Sequence, residues 1–346
     1  MKLWVDKLMQ ERSLSRGEWI ELIENRSQTG TEYLFEKART VRERVYGKDV
    51  YMRGLIEFSN YCKNDCFYCG LRASNRLAQR YRLTKDEILD CCKTGYDLGF
   101  RTFVLQSGED PYFSDAKMVD IINSIRAGYP DCAITLSTGE KSRESYQNFF
   151  DAGADRYLLR HETANAEHYA ALHPHSLSLE NRNRCLRDLK DIGYQVGSGF
   201  MVGSPGQTAR CLADDMLFLE ELNPHMVGIG PFIPHKDTPF GDHVQGTPEL
   251  TLFMLACLRL MLPTALLPAT TALGTISPNG RKLGIMAGAN VIMPNLSPQN
   301  VRKKYLPYDG KVSTGDEAAE SCQRIRTQME SIGYQLVVSR GDCAGF

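Results

Sequence analysis

The run Asn60-Tyr61-Cys62-Lys63-Asn64-Asp65-Cys66-Phe67-Tyr68-Cys69-Gly70 sets three thiols in a C-x3-C-x2-C spacing. Three thiolates this close can grip three irons of a cubane iron–sulfur cluster. A structural zinc site or a ferredoxin-type cluster takes a fourth protein ligand, and no further cysteine follows at a standard spacing. One iron would stay open, as a catalytic centre requires. The plain alternative is zinc completed by a distant Cys or His. Cys91, Cys92, Cys132, Cys185, Cys211 and Cys257 sit in helical or strand-like patterns and are read as small buried hydrophobes. Gly197-Ser198-Gly199 resembles part of a dinucleotide fingerprint but lacks its spacing and helix context, so close backbone approach or barrel packing is the expectation.

The elements that must position the loop alternate. Strand-like runs occur at Gly54–Ser59, Thr102–Gln106, Ala133–Ser137, Arg156–Arg160, Gln195–Met201, Met226–Gly230, Leu266–Thr270 and Ala289–Met293. Amphipathic helical patterns lie between them, near 84–98, 115–127, 142–152, 165–173, 178–192, 208–222, 248–261 and 279–287. Thr84 with Glu87 reads as a capping box, Thr247-Pro248 opens a helix, and Asn223-Pro224 ends one. Eight β–α units without a second compositional block predict an α/β fold, a single (β/α)8 barrel of the TIM type; an open doubly wound sheet is the alternative. The cysteine loop follows the first strand, so a barrel carries it on the C-terminal face, where catalytic groups gather.

Residues 1–50 read as an N-terminal helical extension, with capping boxes at Ser15/Glu18 and Thr29/Glu32 and a stop at Gly47. The barrel is expected over 51–310. A tail over 311–346 carries one helix near 316–331 and a polar end, Arg340–Phe346, compatible with disorder. The net charge of -1 creates no global field for nucleic acid or anionic lipid, and Arg302-Lys303-Lys304 is read as a solvated face. The longest apolar stretch, Leu250 to Leu262, is interrupted by Thr251 and Arg259 and falls short of the roughly 18 residues of a membrane span. Met1 to Gln10 has no apolar core, so no secretory leader is expected. An odd, irregular set of 11 cysteines fits a thiol-rich cytoplasmic protein rather than a disulfide scaffold.

The cysteine loop is similar to that of the radical SAM family. Four further stretches narrow the resemblance to the [FeFe]-hydrogenase maturases of the HydE type: Leu105–Pro111, Arg156–Thr163, Val227–His235, and Pro268–Ala272 with Asn290–Pro294. Biotin synthase and methylornithine synthase share that ancestry. The resemblance implies a [4Fe–4S] cluster on Cys62, Cys66 and Cys69, and S-adenosylmethionine (SAM) on the open iron. Reductive cleavage of SAM would release methionine and a 5′-deoxyadenosyl radical. It further implies that Gln106, Ser107, Gly108 and Glu109 hold the SAM amino group, and that Ser137, Glu162 and Arg182 also contact SAM. The chemistry agrees. Glu162 can accept from ribose hydroxyls and Arg182 can pair with a carboxylate. Tyr68 and Met201 are placed near the adenine, Met201 with a core role as its alternative. Arg160, Thr270, Thr271, Met293, Tyr305 and Tyr308 would line the substrate end. His161 is read as a hydrogen-bonded structural histidine, with a proton relay as the alternative.

The implied substrate is a small organometallic or amino-acid-derived molecule, in the maturase case an iron–cysteine complex carrying CO and cyanide. The implied partners are HydG-like and HydF-like maturases and a reductant such as ferredoxin or flavodoxin. The sequence departs from family members that carry a second iron–sulfur site on three tail cysteines. Between Val312 and Gln323 only Cys322 remains, and Cys343 is poorly placed, so no second cluster is expected. A methylornithine synthase-like mutase is the enzymatic alternative. It would need a site for an α-amino acid head and a distal acid for an ammonium. A non-catalytic iron–sulfur carrier would leave Glu109, Glu162 and Arg182 idle.

Overall fold

The structure, a computed structural model, describes residues 1–312 and 318–346. Its strands are β1 (Asp49–Met52), β2 (Gly54–Ser59), β3 (Thr102–Ser107), β4 (Ala133–Ser137), β5 (Arg156–Leu158), β6 (Gln195–Ser198), β7 (Met201–Val202), β8 (Met226–Val227), β9 (Gly230–Pro231), β10 (Val291–Ile292) and β11 (Gln335–Val337). Its helices are α1 (Lys2–Glu11), α2 (Arg16–Glu24), α3 (Gln28–Tyr46), α4 (Lys85–Asp97), α5 (Asp115–Gly128), α6 (Arg143–Asp151), α7 (Ala166–Leu172), α8 (Leu179–Ile192), α9 (Ala209–Leu222), α10 (Pro248–Met261), α11 (Thr271–Ile276), α12 (Gly280–Met286), α13 (Gln299–Arg302) and α14 (Ala318–Glu330).

The parallel order β2-β3-β4-β5-β6-β8 forms most of a ring. Single bridges complete it: Met226 to Leu266, Pro268 to Val291, and Asn295 back to Leu55. Eight parallel positions therefore close as a (β/α)8 barrel. The seventh is held only by bridges, not by the full strand expected at Leu266–Thr270. Two other expected strands are broken. Gln195–Met201 divides at Gly199 and Met226–Gly230 at Gly228, and the outer pieces pair as a separate β7–β9 ladder. Packing explains the glycines of this break. A Cβ on Gly199 would stand 2.0 Å from the carbonyl oxygen of Gly228, and one on Gly197 would strike Leu158 and Met226.

Capping fixes the helix starts. The boxes Ser15/Glu18 and Thr84/Glu87 both form. The expected box at Thr29/Glu32 does not: α3 starts two residues earlier, capped by the Ser27 hydroxyl on the Gly30 N–H. The apolar Leu250–Leu262 run is α10, buried almost all round because α1 and α3 cover its outer side. The start of the tail helix expected near 316 falls on Ser313–Glu317, outside the described residues. The polar end Arg340–Phe346 is ordered and closes the N-terminal mouth of the barrel. Arg156, at the start of β5, donates to Asp342 at 2.6 Å and to the Arg340 carbonyl at 2.9 Å. Gln195 donates to Asp342 at 2.8 Å. Among the described residues no helix is long and apolar enough to cross a membrane.

Candidate active site

The loop after β2 is held by its own polar side chains. Asn60, fully buried, donates to the carbonyls of Gln79 and Lys304 and accepts the Tyr81 N–H. Arg80 caps the carbonyls of Asn60, Leu71, Arg72 and Asn75. Asp65 accepts from Arg72 at 2.8 Å and from the N–H and hydroxyl of Ser74. The loop is stitched to its surroundings through Lys63 N–H to Glu109 O and Gly70 N–H to Pro307 O, both at 2.9 Å. Gly108 lets β3 approach the loop, since a Cβ there would lie 2.3 Å from Tyr61 O and 2.8 Å from Cys62 Cβ.

Cys62, Cys66 and Cys69 are partly buried free thiols on this loop. Burial pushes all three pKa values up, that of Cys69 to about 12; Cys69 and Cys62 raise that of Cys66 further, and Cys62 that of Cys69. The loop alone therefore favours protonated thiols, and iron would supply the positive charge that makes them thiolates. Among the described residues no three His, Cys, Asp or Glu side chains converge on one ion position.

The three cysteines open into a cavity of about 340 Å³ on the C-terminal face, within the usual range of roughly 300–1,000 Å³ for a small-molecule site. Tyr68 lines it beside them, its hydroxyl on His173 Nε2 at 3.2 Å. The β3 end contributes Gln106, Ser107, Gly108 and Glu109, and β4 contributes Ser137. Glu109 is already engaged: its carboxylate accepts the Glu140 N–H at 2.9 Å and lies 3.3 Å from Lys63 Nζ. Arg160 and Glu162 follow β5, Arg182 rises from α8, and Met201 lies on β7. Thr270, Tyr305 and Tyr308 form the far wall, where Tyr305 accepts from Gln106 at 3.3 Å. Thr271 and Met293 do not reach this cavity. Thr271 opens α11, and both residues line a neighbouring void of about 30 Å³ with Arg281, Arg302 and Lys311.

Glu162 has φ 66°, one of three non-glycine residues at positive φ among those described. A non-glycine residue held in the left-handed region costs on the order of 1–3 kcal/mol, so neighbouring contacts must hold it there. Its Oε2 lies 3.2 Å from Arg160 Nη2, yet neither atom makes a well-aligned hydrogen bond. His161 points away from the cavity. It is fully buried, with Nδ1 2.9 Å from Ser198 Oγ, and burial lowers its pKa to about 3. It is a neutral packing residue.

Glu140 was not singled out from the sequence. Its carboxylate accepts from Arg182 Nε at 2.5 Å and Asn181 Nδ2 at 2.6 Å, fixing the guanidinium at the cavity edge. Burial pulls the Arg182 pKa down, but Tyr169 and Glu140 outweigh it and the group stays charged. Only contact across two loops identifies Glu140; no spacing in the chain announces it. The second-cluster stretch falls partly on Ser313–Glu317, outside the described residues. Cys322 is buried in α14 against the main core, and Cys343 donates to the Thr264 carbonyl at the barrel's opposite end.

A cubane on three loop thiols fits this donor set. Buried, under-used polar atoms of Arg160 and Glu162 beside it fit a charged, hydroxyl-bearing ligand. The profile of the Radical SAM superfamily matches residues 56–219. The [FeFe] hydrogenase maturase subunit HydE of Thermotoga maritima is 44% identical over 325 residues, 94% of this chain and 92% of its own length. The 3-methylornithine synthase of Methanosarcina barkeri is 30% identical over 323 residues, 92% of this chain and 90% of its own. The crystal structure of methylornithine synthase (PylB) superposes with a TM-score of 0.86 at 28% identity, covering 96% of this chain and 97% of that one. With kinship along nearly its whole length, the chain belongs to the radical SAM superfamily, in the group that includes HydE, and is an enzyme of the kind that cleaves SAM reductively.

Proposed function

We propose that this chain is a HydE-type [FeFe]-hydrogenase maturase acting on an iron–cysteine complex with CO and cyanide ligands, in building the dithiolate-bridged diiron subcluster. Near-full-length identity of 44% to a HydE carries the reading. The character of the cavity supports it. Among the described residues, the wall of Leu158, Leu159, Arg160, Pro231, Thr270, Tyr305 and Tyr308 has one acid beside it, Glu162, whose Oε2 lies 3.2 Å from Arg160 Nη2 and so faces a guanidinium. Glu57, the buried acid behind Tyr305, is already neutralised by Lys311 and accepts from Asn295 at 2.7 Å. A guanidinium with hydroxyls suits an anionic ligand better than a diamino acid.

In this reading Cys62, Cys66 and Cys69 hold the cluster, and the cluster with SAM supplies a 5′-deoxyadenosyl radical. Arg182, oriented by Glu140, pairs with the SAM carboxylate. The Glu162 carboxylate accepts from the ribose hydroxyls, and Ser137 adds a hydroxyl contact. Carbonyls of the Gln106–Glu109 turn receive the amino group, with the Glu109 carboxylate as its local counter-charge. Tyr68 is oriented by His173 and packs with Met201 along the adenine path. Arg160, Thr270, Tyr305 and Tyr308 bind the substrate. Leu158, Leu159, Phe232 and Ile233 keep bulk water from a reactive intermediate. Cys322 and Cys343 lie in separate packing environments. HydG-like and HydF-like maturases would supply and receive the metal fragment, with a ferredoxin or flavodoxin as reductant.

The 30% identity to a 3-methylornithine synthase makes a lysine mutase the second reading. One experiment separates them: anaerobic incubation with dithionite, SAM and either the iron–cysteine complex or lysine. 5′-Deoxyadenosine formation that depends on the complex is expected. Formation that depends on lysine instead would overturn the maturase reading.

A further inference from the structure

The backbone at Glu162 is unfavourable for a non-glycine residue, so something must hold it. On one side it is pinned to the strand break: its N–H donates to Gly199 O at 3.1 Å, and its carbonyl accepts the Met201 N–H at 3.4 Å. On the other side stands Asp215, a fully buried residue of α9 that is absent from the cavity wall. Asp215 Oδ1 accepts the Ala164 N–H at 2.5 Å and lies 3.3 Å from His161 Nε2. His161 is anchored in turn by Ser198 Oγ. A single side chain thus reaches residues 161 and 164, which lie on either side of Glu162.

We infer that Asp215 is a positioning residue: it locks the 161–164 turn in the left-handed conformation that sends the Glu162 carboxylate into the cavity. The inference rests on Glu162 being a SAM contact. Burial raises the Asp215 pKa far above the carboxylate range and lowers that of His161, so the pair is neutral. An amide at 215 can then replace the carboxylic acid, because both keep a carbonyl oxygen to accept the Ala164 N–H.

The test titrates SAM into the anaerobically reconstituted full chain by calorimetry. Glu162→Ala should weaken SAM binding by roughly tenfold or more, the loss of hydrogen bonds to a charged group. Asp215→Ala should weaken it by a similar factor without touching SAM, while Asp215→Asn stays within about threefold of the parent, as rescue by a neutral isostere requires. The double variant Glu162→Ala/Asp215→Ala should bind no more weakly than Glu162→Ala alone, because the two losses share one route. Unchanged affinity in Asp215→Ala, or losses that multiply in the double variant, would overturn the inference. Unchanged affinity in Glu162→Ala would instead remove Glu162 from the SAM site. Should Asp215→Ala not fold, Asp215→Ser carries the same expectation.

Discussion

Gly108→Ala should damage the cluster loop more than the fold. A Cβ at this position would stand 2.3 Å from Tyr61 O and 2.8 Å from Cys62 Cβ, where real Cβ atoms essentially never come under 3.0 Å. The loop or the β3 end must therefore retreat by at least about 0.7 Å, the difference between 3.0 and 2.3 Å. The Lys63 N–H bond to Glu109 O at 2.9 Å and the Gly108 N–H bond to Ser59 O at 3.3 Å both resist that movement. Overpacking of this kind costs about 1–3 kcal/mol, a fall in Tm on the order of 1–4 °C for a chain of this length. The displacement falls on Cys62, and a metal site tolerates only about 0.5 Å of ligand error. Iron loading should thus drop by more than half while the apo-protein still folds. The assay is iron and sulfide content per chain after anaerobic reconstitution, beside thermal melting of the apo-protein by circular dichroism. Gly128→Ala is the control: nothing lies within 4 Å of its Cβ position, so loading and melting should match the parent. A Gly108→Ala protein that loads iron and melts like the parent would refute the close-approach reasoning.

Glu140→Ala should weaken SAM binding about tenfold or more by releasing Arg182 Nε, a bond worth ~1.5–3 kcal/mol; unchanged affinity by calorimetry would contradict this. Asp342→Asn removes the partner of a fully buried Arg156, and because Asp342 is itself 36% exposed the cost should be about 1–3 kcal/mol rather than that of a fully buried pair. Burial raises the Asp342 pKa, but Arg156 outweighs it and holds the carboxyl at about 2. Its stabilisation is therefore fully present above the unfolded value near ~3.9 and lost as pH falls through about 2. Melting curves of parent and variant should converge over that window; a pH-independent gap would contradict it. Lys311→Met leaves the Glu57 charge buried and unpaired, which should cost about 3–5 kcal/mol in urea unfolding; a loss under 1 kcal/mol would be contrary.

The barrel was legible because its signals are local. Thr84/Glu87, Thr247-Pro248 and Asn223-Pro224 encode helix ends through backbone capping within a few residues. The cysteine loop was legible for the same reason. The Thr29/Glu32 box failed because Ser27 offers an equally good cap one turn-start earlier, and local pattern cannot rank the two. β1 and β11 were missed because each is short, and β11 exists only through pairing with β1 across most of the chain. The ordered polar end could not be read from Arg340–Phe346 alone. Its partners Arg53, Thr102, Arg156 and Gln195 lie at strand starts far away in sequence. In the site, Gln106–Glu109, Ser137, Arg160, Glu162 and Arg182 all line one cavity. Thr271 was misplaced because a helix starts there and turns its side chain to the neighbouring void. Glu140, His173 and Asp215 touch Arg182, Tyr68 and Ala164 respectively, contacts that only the folded chain makes.

A cluster held by three thiolates with one open iron is most directly tested by electron paramagnetic resonance of the reconstituted, dithionite-reduced protein before and after adding SAM. The expected result is a cubane signal from about four irons per chain, shifted by stoichiometric SAM and absent in Cys62→Ala, Cys66→Ala or Cys69→Ala. A signal indifferent to SAM, or metal retained after any one of these cysteines is removed, would contradict it.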